Sequence, residues 1–325
     1  MRKKLLAGIL ALALCSANMP IQTIFAEEFT SGNPDIVSEE ETPEIFTNEE
    51  QETAGETDEE LSVFSSEEVP EFNDAPDEAM AAAENEQAGE IDLADNDKVM
   101  NGVYTISSAG DYKFTCSRET GNRIVVDGKK ISAKDSINIY LNKVNINTSA
   151  GPALQINYGV EAIVTIYLTG TNNLIAKNTW YAGLQKANTA SLIITTKVLD
   201  PTAGILNAHG SSDGDGAGIG GSNITINSCS VIASSKYGAG IGGSKQRAGS
   251  VSDIIINSSS VTASSTNGAG IGGGLYGDGS DIIINSSSVT ASSTNGAGIG
   301  GGGYGADSVS DITINSSSVS ASSTN

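Results

Sequence analysis

Histidine is nearly missing from this chain: His209 is the one copy in 325 residues. A single imidazole excludes a His-rich zinc site and argues against a Ser-His-Asp triad. Aromatic residues make up 5% of the chain and include one Trp, so where they fall carries information. Basic residues are scarce as well, 17 against 39 acids, for a formal net charge of −22. No stretch supplies a stripe of phosphate-neutralising charge, which excludes a nucleic-acid binder. Cysteine is confined to Cys15, Cys116 and Cys229. Beyond the N-terminus no segment is long and apolar enough to cross a bilayer as a helix. No helical period runs through the second half, which argues against a large helical enzyme.

What is present is unevenly placed. Residues 27–97 hold 26 acids and no Lys or Arg, whereas residue 98 onward has 14 bases against 13 acids. The net charge therefore belongs to one segment. That segment, 27–98, has isolated apolar residues that never form a periodic face, and it reads as a disordered acidic linker. Ahead of it, Arg2, Lys3 and Lys4 precede the apolar run Leu5–Leu14, and Ala26 closes the stretch before Glu27. This predicts a signal peptide over 1–26 and an extracellular or cell-surface location, with no transmembrane segment left after cleavage. A retained anchor, or a lipid on Cys15, are the alternatives.

Residues 223–325 repeat. Asn223 opens NITINSCSVIASSKYGAGIGGS, and Asp253 and Asp281 each open DIIINSSSVTASSTNGAGIGGG. A fourth unit starts at Asp311 and stops at Asn325. A constant core is followed by insertions of variable length, Lys245–Ser252, Leu275–Ser280 and Gly303–Ser310. Within the core, Ile254 and Ile256, Val261 and Ala263, and Ala269 and Ile271 alternate with small or polar neighbours, a period of two. Three short strands per repeat predict one coil of a right-handed parallel β-helix, an all-β solenoid. One coil cannot bury its own inward face, and stacking at about 4.8 Å buries it. The same frame runs backward, with first strands starting at 137, 164, 192, 224, 254, 282 and 312. The predicted β-helical domain is 99–325, with 99–133 as an off-frame N-terminal cap and the C-terminus truncated. Cys116 and Cys229 fall several coils apart and are expected to stay unpaired.

Few positions offer chemistry. Asn227, Asn257, Asn285 and Asn315 share one position and predict an amide ladder. The GAGIGG glycines lack the lysine of a nucleotide loop and precede no helix. Asp253, Asp281 and Asp311 form a row on one side, read as turn residues or as a cation-binding row. Asp213 and Asp215 in SSDGDGAG, and Asp278 and Asp281 in GDGSDII, are the candidate calcium ligands. Trp180, Asp215 and Tyr237 fall at one corner of successive coils. The two rings are then roughly 10 Å apart, about the length of a disaccharide. Trp180, Tyr181, Asp215 and Tyr237, with Tyr276 and Tyr304 in the insertions, are the candidate sugar-stacking residues. Covering the solenoid's edges is the plainer role for the same rings.

Ile137-Asn-Ile-Tyr-Leu through Gly151-Pro-Ala-Leu, then Val164-Thr-Ile-Tyr-Leu and the GAGIGG repeats, resemble the secreted carbohydrate-binding domain proteins of Firmicutes. The resemblance covers roughly residues 100–325. It implies a parallel β-helix that binds acidic plant polysaccharide such as pectin and carries Ca2+. The expectation is a non-catalytic, monomeric polysaccharide-binding module. A structural or adhesive surface repeat is the alternative, favoured by the near-identity of the late coils. Symmetry is broken only in residues 99–222, which is where a site is expected. A pectin lyase on this fold needs a basic residue beside clustered acids. Arg247 lies in an insertion and Arg118 and Arg123 in the expected cap, so no enzyme is expected.

Overall fold

The alternation of inward aliphatic and outward polar residues dictates the architecture. In the computed structural model, residues 89–325 are described except 129–130, 188, 198–202, 246–249 and 306–308. The expected signal peptide, and the linker as far as residue 88, lie outside the described residues. No helix occurs among the described residues; parallel strands stack into a β-helix with three faces.

The first face stacks Ile91–Asp92, Gly110–Thr115, Ser136–Asn142, the start of Ile163–Ala176, Ser191–Thr196, Ile224–Asn227, Ile254–Asn257, Ser280–Asn285 and Ser310–Asn315. The second stacks Asn145–Thr148, the end of Ile163–Ala176, Gly204–His209, Ser230–Ser235, Ser260–Ser265, Ser288–Ser293 and Ser318–Ser323. The third begins with Val103–Ile106 and Arg123–Val126 and continues through Leu154–Ile156 and Leu184–Lys186. It ends in the dipeptides Ile219–Gly220, Ile241–Gly242, Ile271–Gly272 and Ile299–Gly300. Inside, identical side chains stack in columns. Ile224, Ile254 and Ile282 form one, Ile226, Ile256 and Ile284 a second, and Val231, Val261 and Val289 a third, all essentially inaccessible to water.

The N-terminal part departs from the expectation. Val103–Ile106, Gly110–Thr115 and Arg123–Val126 are in-register rungs of the solenoid rather than an off-frame cap. The body also reaches into the segment assigned to the linker. Ile91–Asp92 pairs with Gly110–Thr115, and Leu93 is fully buried. An apolar Ile-x-Leu pair amid acids is enough to add a strand, because the edge it pairs with already exists.

Corners require left-handed backbone. Between the third and first faces this falls on Asn223, Asp253, Asp281 and Asp311, with φ of 55°, 60°, 50° and 56°. Asp and Asn tolerate that region better than other side chains, which accounts for their place in this row. Between the first and second faces it falls on Ser228, Ser258, Ser286 and Ser316, one residue after the asparagines. The asparagines themselves form the expected ladder. Asn257 donates to Asn227, Asn285 to Asn257 and Asn315 to Asn285, each at 2.9 Å. Cys116 and Cys229 are both free thiols.

Candidate functional site

The corner between the second and third faces also differs from coil to coil. His209 lies in register with Ser234, and Ile219 with Ile241. Between those fixed points one coil carries the turn Gly210–Asp215, and the next manages with Ser235, Lys236 and Tyr237. The longer turn projects outward. A groove of about 590 Å³ opens beside it, lined by Lys177, His209, Ser211, Ser234, Lys236 and Thr266 from four successive coils.

Its charges are set by their neighbours. His209 Nδ1 lies 2.6 Å from Ser234 Oγ, and partial burial pushes the imidazole below its ordinary pKa. His209 is therefore neutral at pH 7, because burial disfavours its charged form. Lys236 Nζ meets Asp213 Oδ1 at 3.2 Å, and that contact holds its ammonium charged to higher pH than usual. Lys177 is exposed and has no carboxylate in ion-pair range among the described residues. Ser211 is buried, and its Oγ accepts the backbone N–H of Asp213 at 3.3 Å, which fixes the turn.

The corner column expected from the sequence is present. The backbone N–H of Asp215 donates to Thr179 O, that of Tyr237 to Gly214 O and that of Asn267 to Lys236 O. Trp180, Asp215, Tyr237 and Asn267 thus occupy successive levels of one corner. The two rings differ in what surrounds them. Trp180 is 64% exposed, in the same turn as Lys177. Tyr237 has Lys245 Nζ 4.5 Å and Lys236 Nζ 5.2 Å from its ring centre. Lys245 also meets Asp215 Oδ1 at 3.1 Å. Asp215, Lys245 and Tyr237 are therefore engaged with one another, and Trp180 is the open ring. Tyr181 is half-buried, its N–H donating to Asn178 O.

Tyr276 and Tyr304 lie apart from that column, in the stacked insertions. They are exposed and stack on each other with centroids 5.8 Å apart. The candidate calcium ligands do not converge. Asp213 and Asp215 each face a lysine, and Asp281 sits in a left-handed turn accepting Ser280 Oγ at 3.0 Å. Asp278 Oδ1 is buried with no partner among the described residues. Among those residues no group of three or more His, Cys, Asp or Glu could hold a metal ion.

Of the two described arginines considered for lyase chemistry, Arg118 donates to Ala94 O and Arg123 to Gln155 Oε1 and Pro152 O, all within the first coils. Arg247 lies outside the described residues. Sequence reading passed over His209, Lys177 and Lys236 as a group. The available signal was that the lone His stands where every later coil has serine, at Ser234, Ser264, Ser292 and Ser322. It also passed over Tyr140 and Tyr167, adjacent in register on the first face and stacked at 4.8 Å. No helix of the described residues is long and apolar enough to cross a membrane. Comparison of the chain with protein-family models, curated proteins and solved structures returned no match.

Proposed function

We propose that this chain is a non-catalytic polysaccharide-binding protein acting outside the cell, with its site at the corner between the second and third faces. One observation carries the reading: the exposed indole of Trp180 stands three residues from Lys177, which lines a groove built from four successive coils. A groove built from successive coils suits an extended polymer. An indole offers a flat apolar face to a sugar ring, while hydroxyl and ammonium groups meet its polar edge. The resemblance of residues 100–325 to secreted carbohydrate-binding proteins points the same way. Near-identical late coils, with their amides bonded to one another, suit a spacer that carries this corner.

The test is a titration of the full chain against neutral and acidic polysaccharides, alongside Trp180→Ala. Saturable binding weakened about tenfold by the substitution is expected, from the loss of one ring-stacking contact. Trp180 packs against little, so the variant should fold as the parent does. Absence of binding to every glycan would favour the structural repeat. Falling viscosity of a pectin solution would revive an enzyme.

A further inference from the structure

The geometry points to a carboxylate subsite in this groove, formed by Lys177, Lys236 and His209, whose affinity His209 raises as pH falls. This rests on the polysaccharide reading and adds what the groove selects and what regulates it.

The groove gathers two lysines and the chain's sole histidine, and its one nearby acid is already used. Asp213 faces Lys236, and Asp215 is held by Lys245 outside the groove. The groups that face His209 can be named element by element. Ile175 and then Lys177 come from the coil below and Ser234 and then Lys236 from the coil above, while Asp213 on its own turn faces Lys236. No carboxylate contacts the imidazole among the described residues. An anion entering here meets donors and cations with one carboxylate at the rim, which selects a negatively charged sugar over a neutral one.

Imidazole is the group here whose ordinary pKa lies closest to the mildly acidic range, and burial moves that of His209 downward. A uronate behaves like an ordinary carboxylate, ionised down to about pH 4. His209 is neutral at pH 7, and its Nδ1 is held by Ser234 Oγ, leaving Nε2 without a protein partner among the described residues. Neutral imidazole has one donor nitrogen and one acceptor; the protonated ring donates from both. Protonation therefore adds a charge and guarantees a donor for the ligand. By linkage, a bound carboxylate must raise the His209 pKa, and falling pH must tighten carboxylate binding.

The experiment uses the full chain without an affinity tag, so that His209 gives the only imidazole signal. Affinity for oligogalacturonate is measured from pH 7.5 to 5.0, with the uncharged galactose oligomer and a sulfated galactan as further arms. Oligogalacturonate should tighten about tenfold as pH falls, the gain of one charge-assisted hydrogen bond. The neutral oligomer should show no such slope, and His209→Gln should flatten the slope for the acid. A sulfated galactan with an equal slope would mean that the subsite reads charge alone, overturning carboxylate selection. An unchanged slope in His209→Gln, or an equal slope for the neutral oligomer, would overturn the role of His209.

A second readout is independent of polymer binding. The His209 ring is titrated by NMR with and without monomeric galacturonate, whose addition should raise its pKa. No rise would overturn the proposal even if polymers bind. Loss of all glycan binding in Trp180→Ala together with an unchanged His209 titration would leave the polysaccharide reading standing and this one refuted.

Discussion

An ammonium buried without a carboxylate beside it opposes folding, and Lys186 is such a group. It is 4% exposed, and its Nζ donates to Ala187 O at 3.1 Å. Burial lowers its pKa to about 8. The folded state therefore binds fewer protons than the unfolded state between about pH 8 and 10.5. Stability from this group rises with pH through that window, and the cost is fully present below pH 8. The shift corresponds to about 3 kcal/mol at pH 7. Lys186→Met keeps the stem and removes the charge, so its urea midpoint at pH 7 should exceed that of the parent. The difference between the two should shrink on going to pH 10; a constant difference would refute the assignment.

Cys229 is a second residue whose environment decides its behaviour. Its thiol is fully buried, donates to Ile194 O at 3.7 Å and has its pKa pushed up to about 12. Its backbone N–H bonds Ser259 Oγ just as Ser259 N–H bonds Ser287 Oγ, so the sulfur fills a serine's place in a ladder. Thiolate is the reactive form, so alkylation of the native protein should label half-buried Cys116 well before Cys229. Mass spectrometry after timed iodoacetamide exposure checks this. Equal labelling rates would mean that the coil opens at Cys229.

At the scale of elements, the glycine-rich face is less forgiving than the amide ladder. A Cβ on Gly270 would lie 2.6 Å from the carbonyl oxygen of Gly298 and 2.7 Å from the backbone nitrogen of Ser292. Both are backbone atoms of neighbouring rungs that cannot move singly. Gly270→Ala should cost about 1–3 kcal/mol, as overpacking does. Asn257→Ala removes two side-chain bonds of 2.9 Å at a half-exposed position and should cost about 1 kcal/mol. Denaturant midpoints of the two variants should fall in that order.

This difference also explains what could be read in advance. GAGIGG and INSSSV recur, so the spacing alone placed Ile256, Val261 and Ile271 inward, and all three are buried. Residues 91–126 stack in the same solenoid, but with one spelling per coil and no repeat to set the frame, so 91–98 read as linker and 99–126 as part of a cap. The groove stayed hidden for the same reason. Lys177, His209 and Lys236 are 32 and 27 residues apart, and only the strand pairings bring them to one corner. Composition likewise could not tell that Lys245 would cover Tyr237 and leave Trp180 bare.

Over the whole molecule, each coil touches chiefly the coil above and the coil below, so stability is approximately a sum of coil and interface terms. This makes the late coils interchangeable. Deleting residues 253–280 joins Ser252 to Asp281 and brings Ile224–Asn227 against Ile282–Asn285, a pairing chemically close to the two it replaces. The inward columns and the asparagine ladder would close again without a change of register. The shortened chain should fold with the same circular dichroism spectrum per residue, and its urea m-value should drop by about a tenth, in line with the surface removed. The groove and Trp180 lie in the coils before the deletion, with only Thr266 inside it. Glycan affinity should therefore stay within about twofold of the parent, because coupling falls off beyond neighbouring contacts. A deletion variant that folds but loses glycan binding would place the site in the late coils and reassign the stacked Tyr276 and Tyr304 as its platform. One that binds as the parent does would confine recognition to the asymmetric coils and leave the repeats the task of extending them.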